Sequence, residues 1–485
     1  MHKPRFSPPF PALWAVGAAA LLSGCSMIPR YERPAAPVAE QWPQGLAAAA
    51  DVGGTAADIA WQDFVGDARL RELIALSLQN NRDLRVAVLA IEQARAQYQI
   101  RRADQLPGVN AAVTGNRQPA LDGSGGISSA YTAGLALASW EIDFFGRIAS
   151  LKEAALAQFF GTQEARNAVQ TSLVAAVTNT WLSLQTNTEL LELTQRTLAT
   201  RDDSLRLNRL RFDQGVTSAL DLRQAESLTA AAQATLAQQQ RLRALDINAL
   251  TLLVGQPLPE AGPVIPGAQP ALALPDVPAG MPSDLLTRRP DIRQAEQQLR
   301  ASNANIGAAR AAFFPRISLT ASAGTASGAL SGLFKSGSWG WTLAPQAVLP
   351  IFDAGRNQAG LDSAQVERSV AVAQYEKAIQ VAFREVADAL AGRATLGEQV
   401  RAQQAQADAE ADRFRLADLR YRNGVSSYLD VLDAQRALFA TQQALAQTQL
   451  AQRQNQVLLY KALGGGWTPG DASASSAPAA AAPVL

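Results

Sequence analysis

The side chains best suited to chemistry are scarce in this chain and poorly placed for it. Among 485 residues there is one histidine, His2, and one cysteine, Cys25, both at the extreme N-terminus. The rest of the chain therefore holds no Ser-His-Asp triad, no Cys-His dyad, no Cys/His metal site and no disulfide. Neither a Walker A loop nor a G-x-S-x-G elbow occurs. Carboxylate-only or Ser-Lys chemistry stays open by residue type, but no cluster suggests it. The expectation is a protein that is not an enzyme, with no metal and no dissociable cofactor. The lone thiol is the one reactive group in an informative context. It ends Leu22-Ser23-Gly24-Cys25, after a basic start at Lys3 and Arg5 and an apolar stretch over Leu13 to Leu22.

That arrangement resembles the bacterial lipobox. The resemblance implies a signal peptide over 1–24 and a covalent lipid on Cys25, which becomes the first mature residue. Ser26, in place of an aspartate, directs such lipoproteins to the outer membrane. Several acyl chains anchor stably where one is marginal. A plain signal peptide with an incidental cysteine is the alternative. Lysine plus arginine total 43 against 42 acidic residues, which argues against a nucleic-acid binder. After residue 30 no apolar run reaches the ~18 residues of a membrane helix. Any membrane crossing by the mature chain must therefore use a β-barrel.

The elements that carry the chain come in two copies. LRFDQGVTSALDLRQA at 210–225 matches LRYRNGVSSYLDVLDA at 419–434, an offset of about 209 residues. Asp83-Leu84-Arg85 recurs as Asp291-Ile292-Arg293, Pro107 as Pro315, Gly146-Arg147 as Gly355-Arg356 and Gly255 as Gly464. Each copy reads helix, two strands, long helix, turn, helix. Ile317, Leu319, Ala321 and Ala323 alternate with Ser318, Thr320, Ser322 and Gly324, and similar alternation runs through Val109–Thr114 and Trp339–Ala344. Tyr131 to Ile142 is a weaker fourth strand. Gly-rich loops at 121–126 and 331–338 separate the members of each pair. One apolar face and one small or polar face is the pattern of a membrane barrel.

The helices are long and rich in good helix formers. Arg147 to Arg211 and Arg356 to Tyr421 run 65 and 66 residues without proline, roughly 100 Å each at 1.5 Å per residue. The shorter helices, Asp83–Gln105 with Val216–Val254 and Asp291–Phe313 with Val425–Leu463, are 23 and 39 residues in both copies. Stacked end to end, each pair nearly equals one long helix. Val425, Leu429, Leu432, Phe439, Ala446, Leu450, Val457 and Tyr460 form a heptad seam, interrupted by Arg436, Gln443 and Arg453.

Four strands cannot close a membrane barrel, for which about eight is the minimum. Two copies would give a lumen too tight for a duct; three give 12 strands and an aqueous bore. The expected fold is mixed α and membrane β. It is a trimeric 12-stranded β-barrel, four strands per chain, continued by a long α-helical periplasmic barrel with internal duplication. The expected division is an extended N-terminal linker over 25–64 and a first repeat over 65–254 with strands at about 107–144. A Pro-rich connector over 255–282, a second repeat over 283–467 with strands at about 314–352, and a disordered tail over 468–485 complete it.

An ordered set of motifs then resembles one family. WEIDFFGR at 140–147, LLTRRPDIRQAE at 285–296, FFPRISL at 313–319, PIFDAGR at 350–356, the two tip segments above and YKALGGGW at 460–467 look like a TolC-type outer-membrane factor of the NodT-like lipoprotein branch. The resemblance spans Cys25 to about Trp467. It implies a homotrimer in outer-membrane lipid that docks an inner-membrane pump through a periplasmic adaptor, with no nucleic-acid partner. Asp430 and Asp433 match a pair of aspartate rings that constrict the periplasmic mouth. Such rings attract cations, and crowding should raise some of their pKa values. Tyr421 and Asp221 match a lock between neighbouring hairpins. Ser426 stands where the best-known member has a locking arginine, which puts that link in doubt. Gly215-Val216 and Gly424-Val425 match adaptor-contacting tips, although turn chemistry alone explains the glycines. The implied function is the exit duct of a small-molecule efflux pump. A protein-secretion duct and a pore-less periplasmic spacer are the alternatives.

Overall fold

The computed structural model describes residues 26–42, 58–119, 126–258, 274–275, 277 and 280–467. The expected signal peptide, Cys25, the middle of the N-terminal segment, most of the first hairpin loop, most of the Pro-rich connector and the tail lie outside them. The order is α1 (Trp61–Phe64), α2 (Ala68–Asn80), α3 (Arg82–Ala103), β1 (Val109–Pro119), β2 (Ile127–Ile142), α4 (Arg147–Asp213) and α5 (Ala219–Val254). The second half follows with α6 (Leu285–Arg288), α7 (Pro290–Ala311), β3 (Arg316–Ser327), β4 (Trp339–Val348), α8 (Arg356–Arg422) and α9 (Tyr428–Ala462). None of these helices is long and apolar enough to cross a membrane. Two compact units form, one from residues up to 35 with 90–163 and 294–376, the other from 36–89, 164–293 and 377–485. Each sequence repeat contributes to both.

The first unit holds one antiparallel sheet in the order β1-β2-β3-β4. Its register puts Val109, Val113, Leu135, Leu137, Trp341 and Leu343 on one face, all but Leu137 largely exposed. The other face carries small and polar residues. Across it the hydroxyls of Thr114 and Thr132 lie 2.6 Å apart, and those of Ser322 and Thr342 2.7 Å apart. One level of this face is Ala112, Gly134, Gly324 and Gly340 in register. A Cβ on Gly134 would sit 2.4 Å from the Ala323 carbonyl oxygen, so those two backbones approach as only glycine allows. The weak alternation of β2 has a cause. Its pairing to β3 slips between Leu137 and Trp140, where Ser139 adopts φ 47° and donates its N–H to Thr320 Oγ1. The bulge adds one residue and restores Trp140 and Ile142 to the apolar face. Glu141 then turns the other way. It takes two 2.8 Å bonds from Arg147 and one contact at 2.6 Å from Arg316. Asp143 and Asp353 cap the starts of α4 and α8, at 2.7 Å from Ala149 N and 2.9 Å from Asn357 N.

In the same unit residues 26–33, placed in the expected linker, have no helix or strand and bend at Ile28, but they are not free. Ile28 packs on a cluster of Ala154, Ala157, Ala301 and Ala304. The folded body also begins earlier than residue 65, because Trp61 and Phe64 of α1 are buried. Their burial pulls the end of the expected linker into the core.

The second unit shows how the short helices meet. Asn81 caps α3, accepting from Leu84 N at 3.0 Å, while its amide donates to the Leu253 carbonyl at the end of α5, also 3.0 Å. In the second repeat Arg289 precedes α7 and donates to the Ala462 carbonyl at the end of α9, 3.0 Å. Gly255 (φ 77°) and Gly464 (φ 87°) end α5 and α9 in the left-handed region. A residue before one short helix thus takes the orphan carbonyls of the other, which is the expected end-to-end match. The observed lengths are 22 and 36 residues in one repeat and 22 and 35 in the other, against 67 for each long helix. The seam of α9 is buried at Leu432, Phe439, Ala446, Val457 and Tyr460, whereas Val425 and Leu429, at the tip, are exposed. Phe64 stacks on Tyr460 at 3.9 Å between ring centroids, tying α1 to α9.

Candidate functional site at the hairpin tips

The turns joining α4 to α5 and α8 to α9 are two copies of one device, both in the second unit. Gly215 (φ 71°) and Gly424 (φ 74°) are left-handed. Val216 N bonds Arg211 O at 2.8 Å and Val425 N bonds Arg420 O at 2.9 Å. This closure satisfies carbonyls at the helix end and requires the glycine. It also throws Val216 and Val425 outward, 63% and 66% exposed, with Leu220 and Leu429 beside them at 67% and 50%. Each tip therefore presents an apolar pair to its surroundings. The following helices start three residues later than expected, because Ser218 and Ser427 serve as N-caps after the turn.

Asp221 belongs to that cap. Its carboxylate accepts from the Ser218 hydroxyl at 2.7 Å and from Thr217 at 3.0 Å, and Ser218 in turn accepts from Asp221 N at 3.1 Å. The Ser218 bond above all, with help from the charge of nearby Arg211, holds its pKa below the usual aspartate value. Tyr421 is engaged separately. Arg211 donates to its hydroxyl and lies 5.7 Å from its ring centroid, and Tyr428 packs on the ring at 5.0 Å. Arg211 comes from the first hairpin and Tyr421 from the second, so the two hairpins of one chain are tied. Tyr421 and Asp221, paired by the sequence reading across neighbouring hairpins, meet different partners within the chain.

The two aspartates of α9 differ sharply. Asp430 lies exposed in the first turn. Asp433 is clamped by Arg413 and Arg436, each at 2.5 Å. The Arg413 bond above all lowers its pKa. Within one chain the two guanidiniums set the direction for Asp433, whereas the expected crowding is between carboxylates of different copies. Ser426 keeps its hydroxyl buried with no hydrogen-bond partner among the described residues. Sequence reading missed Arg211, Arg413 and Arg436. The three-residue spacing of Asp433 and Arg436 was a usable signal for the last. The other two reach their partners from separate helices, which spacing does not reveal. Among the described residues no group of three or more His, Cys, Asp or Glu is placed to hold a metal ion.

Two stretches, 73–256 and 281–465, match the family described as outer membrane efflux protein, one in each repeat. The antibiotic efflux pump outer membrane protein ArpC of Pseudomonas putida is 49% identical over 92% of this chain and 94% of its own length. The toluene efflux pump outer membrane protein TtgC, also of Pseudomonas putida, is similar to the same extent, 49% over 92% and 94%. The crystal structure of the open state of the Neisseria gonorrhoeae MtrE outer membrane channel superposes with a TM-score of 0.83. It is 42% identical and covers 91% of this chain and 98% of that one. The fold is thus the expected one: four strands per chain of a trimeric 12-stranded barrel, with the long helices of a helical barrel and an internal duplication. On these grounds the chain belongs to the outer membrane efflux protein family.

Proposed function

We propose that three copies of this chain form the passive exit duct of a tripartite efflux pump, anchored by lipid on Cys25 and doing no chemistry of its own. The sheet carries the reading. It has an apolar face, a small and polar face, and two edge strands, β1 and β4, each paired on one side only among the described residues. Such a sheet is satisfied in a bilayer only by closure with other copies. An inner-membrane pump would load the duct, and a periplasmic adaptor would cover the apolar tips at Val216, Leu220, Val425 and Leu429. The cargo would be small apolar or amphiphilic molecules, as the names of the antibiotic and toluene relatives suggest. The tips would shut the periplasmic mouth. There the exposed Asp430 forms the carboxylate ring, Arg413-clamped Asp433 braces it, and the Arg211–Tyr421 tie holds the hairpins closed.

Single-channel conductance in a planar bilayer tests this, wild type against Asp430→Ala with Asp433→Ala. The expected result is a small conductance blocked by multivalent cations, which grows and loses its block in the double variant. A conductance unchanged by the substitutions would remove the aspartates from the gate. No conductance from well-inserted trimers would remove the duct and favour a pore-less spacer.

A further inference from the structure

The segment just after Cys25 is bound along one stripe of α7. Arg310 donates to the Met27 carbonyl at 3.5 Å, and Asn303 to the Pro29 carbonyl at 2.8 Å. Gly307 admits Ile28: a Cβ there would sit 2.7 Å from Ile28 Cγ1 and 2.9 Å from its backbone nitrogen. Arg300 lies 4.9 Å from the ring centroid of Tyr31. Glu296 closes the row. It accepts from Tyr31 at 3.2 Å, from Arg33 at 3.2 and 2.8 Å, and from Arg300 at 2.9 Å.

The partners on α7 fall at 296, 300, 303, 307 and 310, alternately four and three residues apart, which is one face of a helix. They meet the strap in reverse order, so it runs antiparallel to α7. The lengths agree. From Glu296 to Arg310 the helix rises about 21 Å at ~1.5 Å per residue. From Arg33 to Met27 an extended chain covers about 20 Å at ~3.3 Å per residue. The strap is therefore docked along its length, with one bend at Ile28. Its upper end lies at Arg310, just before α7 ends at Ala311 and β3 starts at Arg316.

We propose that residues 26–33 are a ruler that holds the lipid-bearing Cys25 at a fixed short reach from the base of the barrel strands, with Glu296 as its clasp. The proposal rests on lipidation of Cys25. Cys25 is one residue beyond Ser26, or ~3.8 Å between Cα atoms, so a docked strap leaves the anchor almost no slack. The clasp is strong because Glu296 is 4% exposed, and a buried carboxylate must keep its cationic partners. The Tyr31 hydroxyl, its pKa pushed up to about 12 chiefly by burial, stays a donor at every physiological pH.

The test uses full-length trimers in proteoliposomes carrying Arg30→Cys, an exposed strap position, labelled with a nitroxide. Mass spectrometry of the N-terminal peptide reports acylation in the same sample. With the clasp intact the expected spectrum is immobilised. Adding Tyr31→Phe and Arg33→Ala, which leave α7 untouched, should shift most of the signal to a mobile component. A four-residue Gly/Ser insertion between Cys25 and Ser26 should leave the label immobile but reduce heat-stable trimer. An acylated wild type with a mobile label overturns the ruler alone, as does an insertion variant that assembles as fully as wild type. An unacylated wild type overturns the anchor and the ruler together.

Discussion

At the scale of single residues the tips show why identity alone does not assign a role. Asp430 and Asp433 are one helical turn apart, yet only Asp433 is matched by arginines, at 2.5 Å to Arg413 and to Arg436. Because its folded pKa is depressed, its links are fully present above the ordinary aspartate value, ~3.9, and are lost as pH falls through the lower folded value. The Asp221 cap behaves in the same direction. Conductance should therefore stay flat from about pH 7 to 5 and rise only below about pH 4. Arg413→Ala, which removes the largest lowering contact, should move that onset upward toward the ordinary value. A bilayer titration measures both, and an onset near pH 6 in the wild type would take the acid response away from Asp433 and Asp221.

At the scale of elements the stability of the helical junctions turns on two residues in equivalent places that differ in kind. Asn81→Ala removes a cap, while Ser77 still donates to the Leu253 carbonyl at 2.7 Å. The expected cost is about 1–2 kcal/mol. Arg289 is buried and holds Asp291 at 2.6 Å, Glu385 at 2.8 Å and the Ala462 carbonyl. Arg289→Ala should cost about 2–3 kcal/mol, short of the ~3–5 for a fully buried pair because both carboxylates remain partly exposed. Denaturant melts followed by helical circular dichroism rank the two. Equal effects would mean that the carbonyl bond, not the ion pairs, dominates the second junction.

At the scale of the whole molecule the sheet is an unfinished object. Val113, Trp339 and Trp341 are 80%, 68% and 67% exposed, and both edges lack a second neighbour among the described residues. Association must supply what the chain cannot, so folding and trimerisation are linked. In detergent the apparent melting temperature of the strands should rise with protomer concentration. A midpoint independent of concentration, under reversible conditions, would show a sheet stable without its partners.

Much of this was determined by the chain alone. Alternation marked three of the four strands, proline-free runs marked both long helices, and a constant offset paired the repeats, because these signals repeat every few residues along one element. The tip glycines were readable because a left-handed residue leaves a compositional trace. What tertiary structure decided lies between elements. The Ser139 bulge depends on pairing with β3, so β2 looked irregular until its register with Thr320 was known. Arg211 and Arg413 found Tyr421 and Asp433 across helices, at separations of 210 and 20 residues. The Pro-containing segment after Ser26 has the composition of a loose linker, and only its row of contacts along α7 shows that it is held. Local periodicity is written into the sequence because each residue's neighbours along the helix or strand are known in advance. Partnership across helices is not, because it follows from how the faces pack.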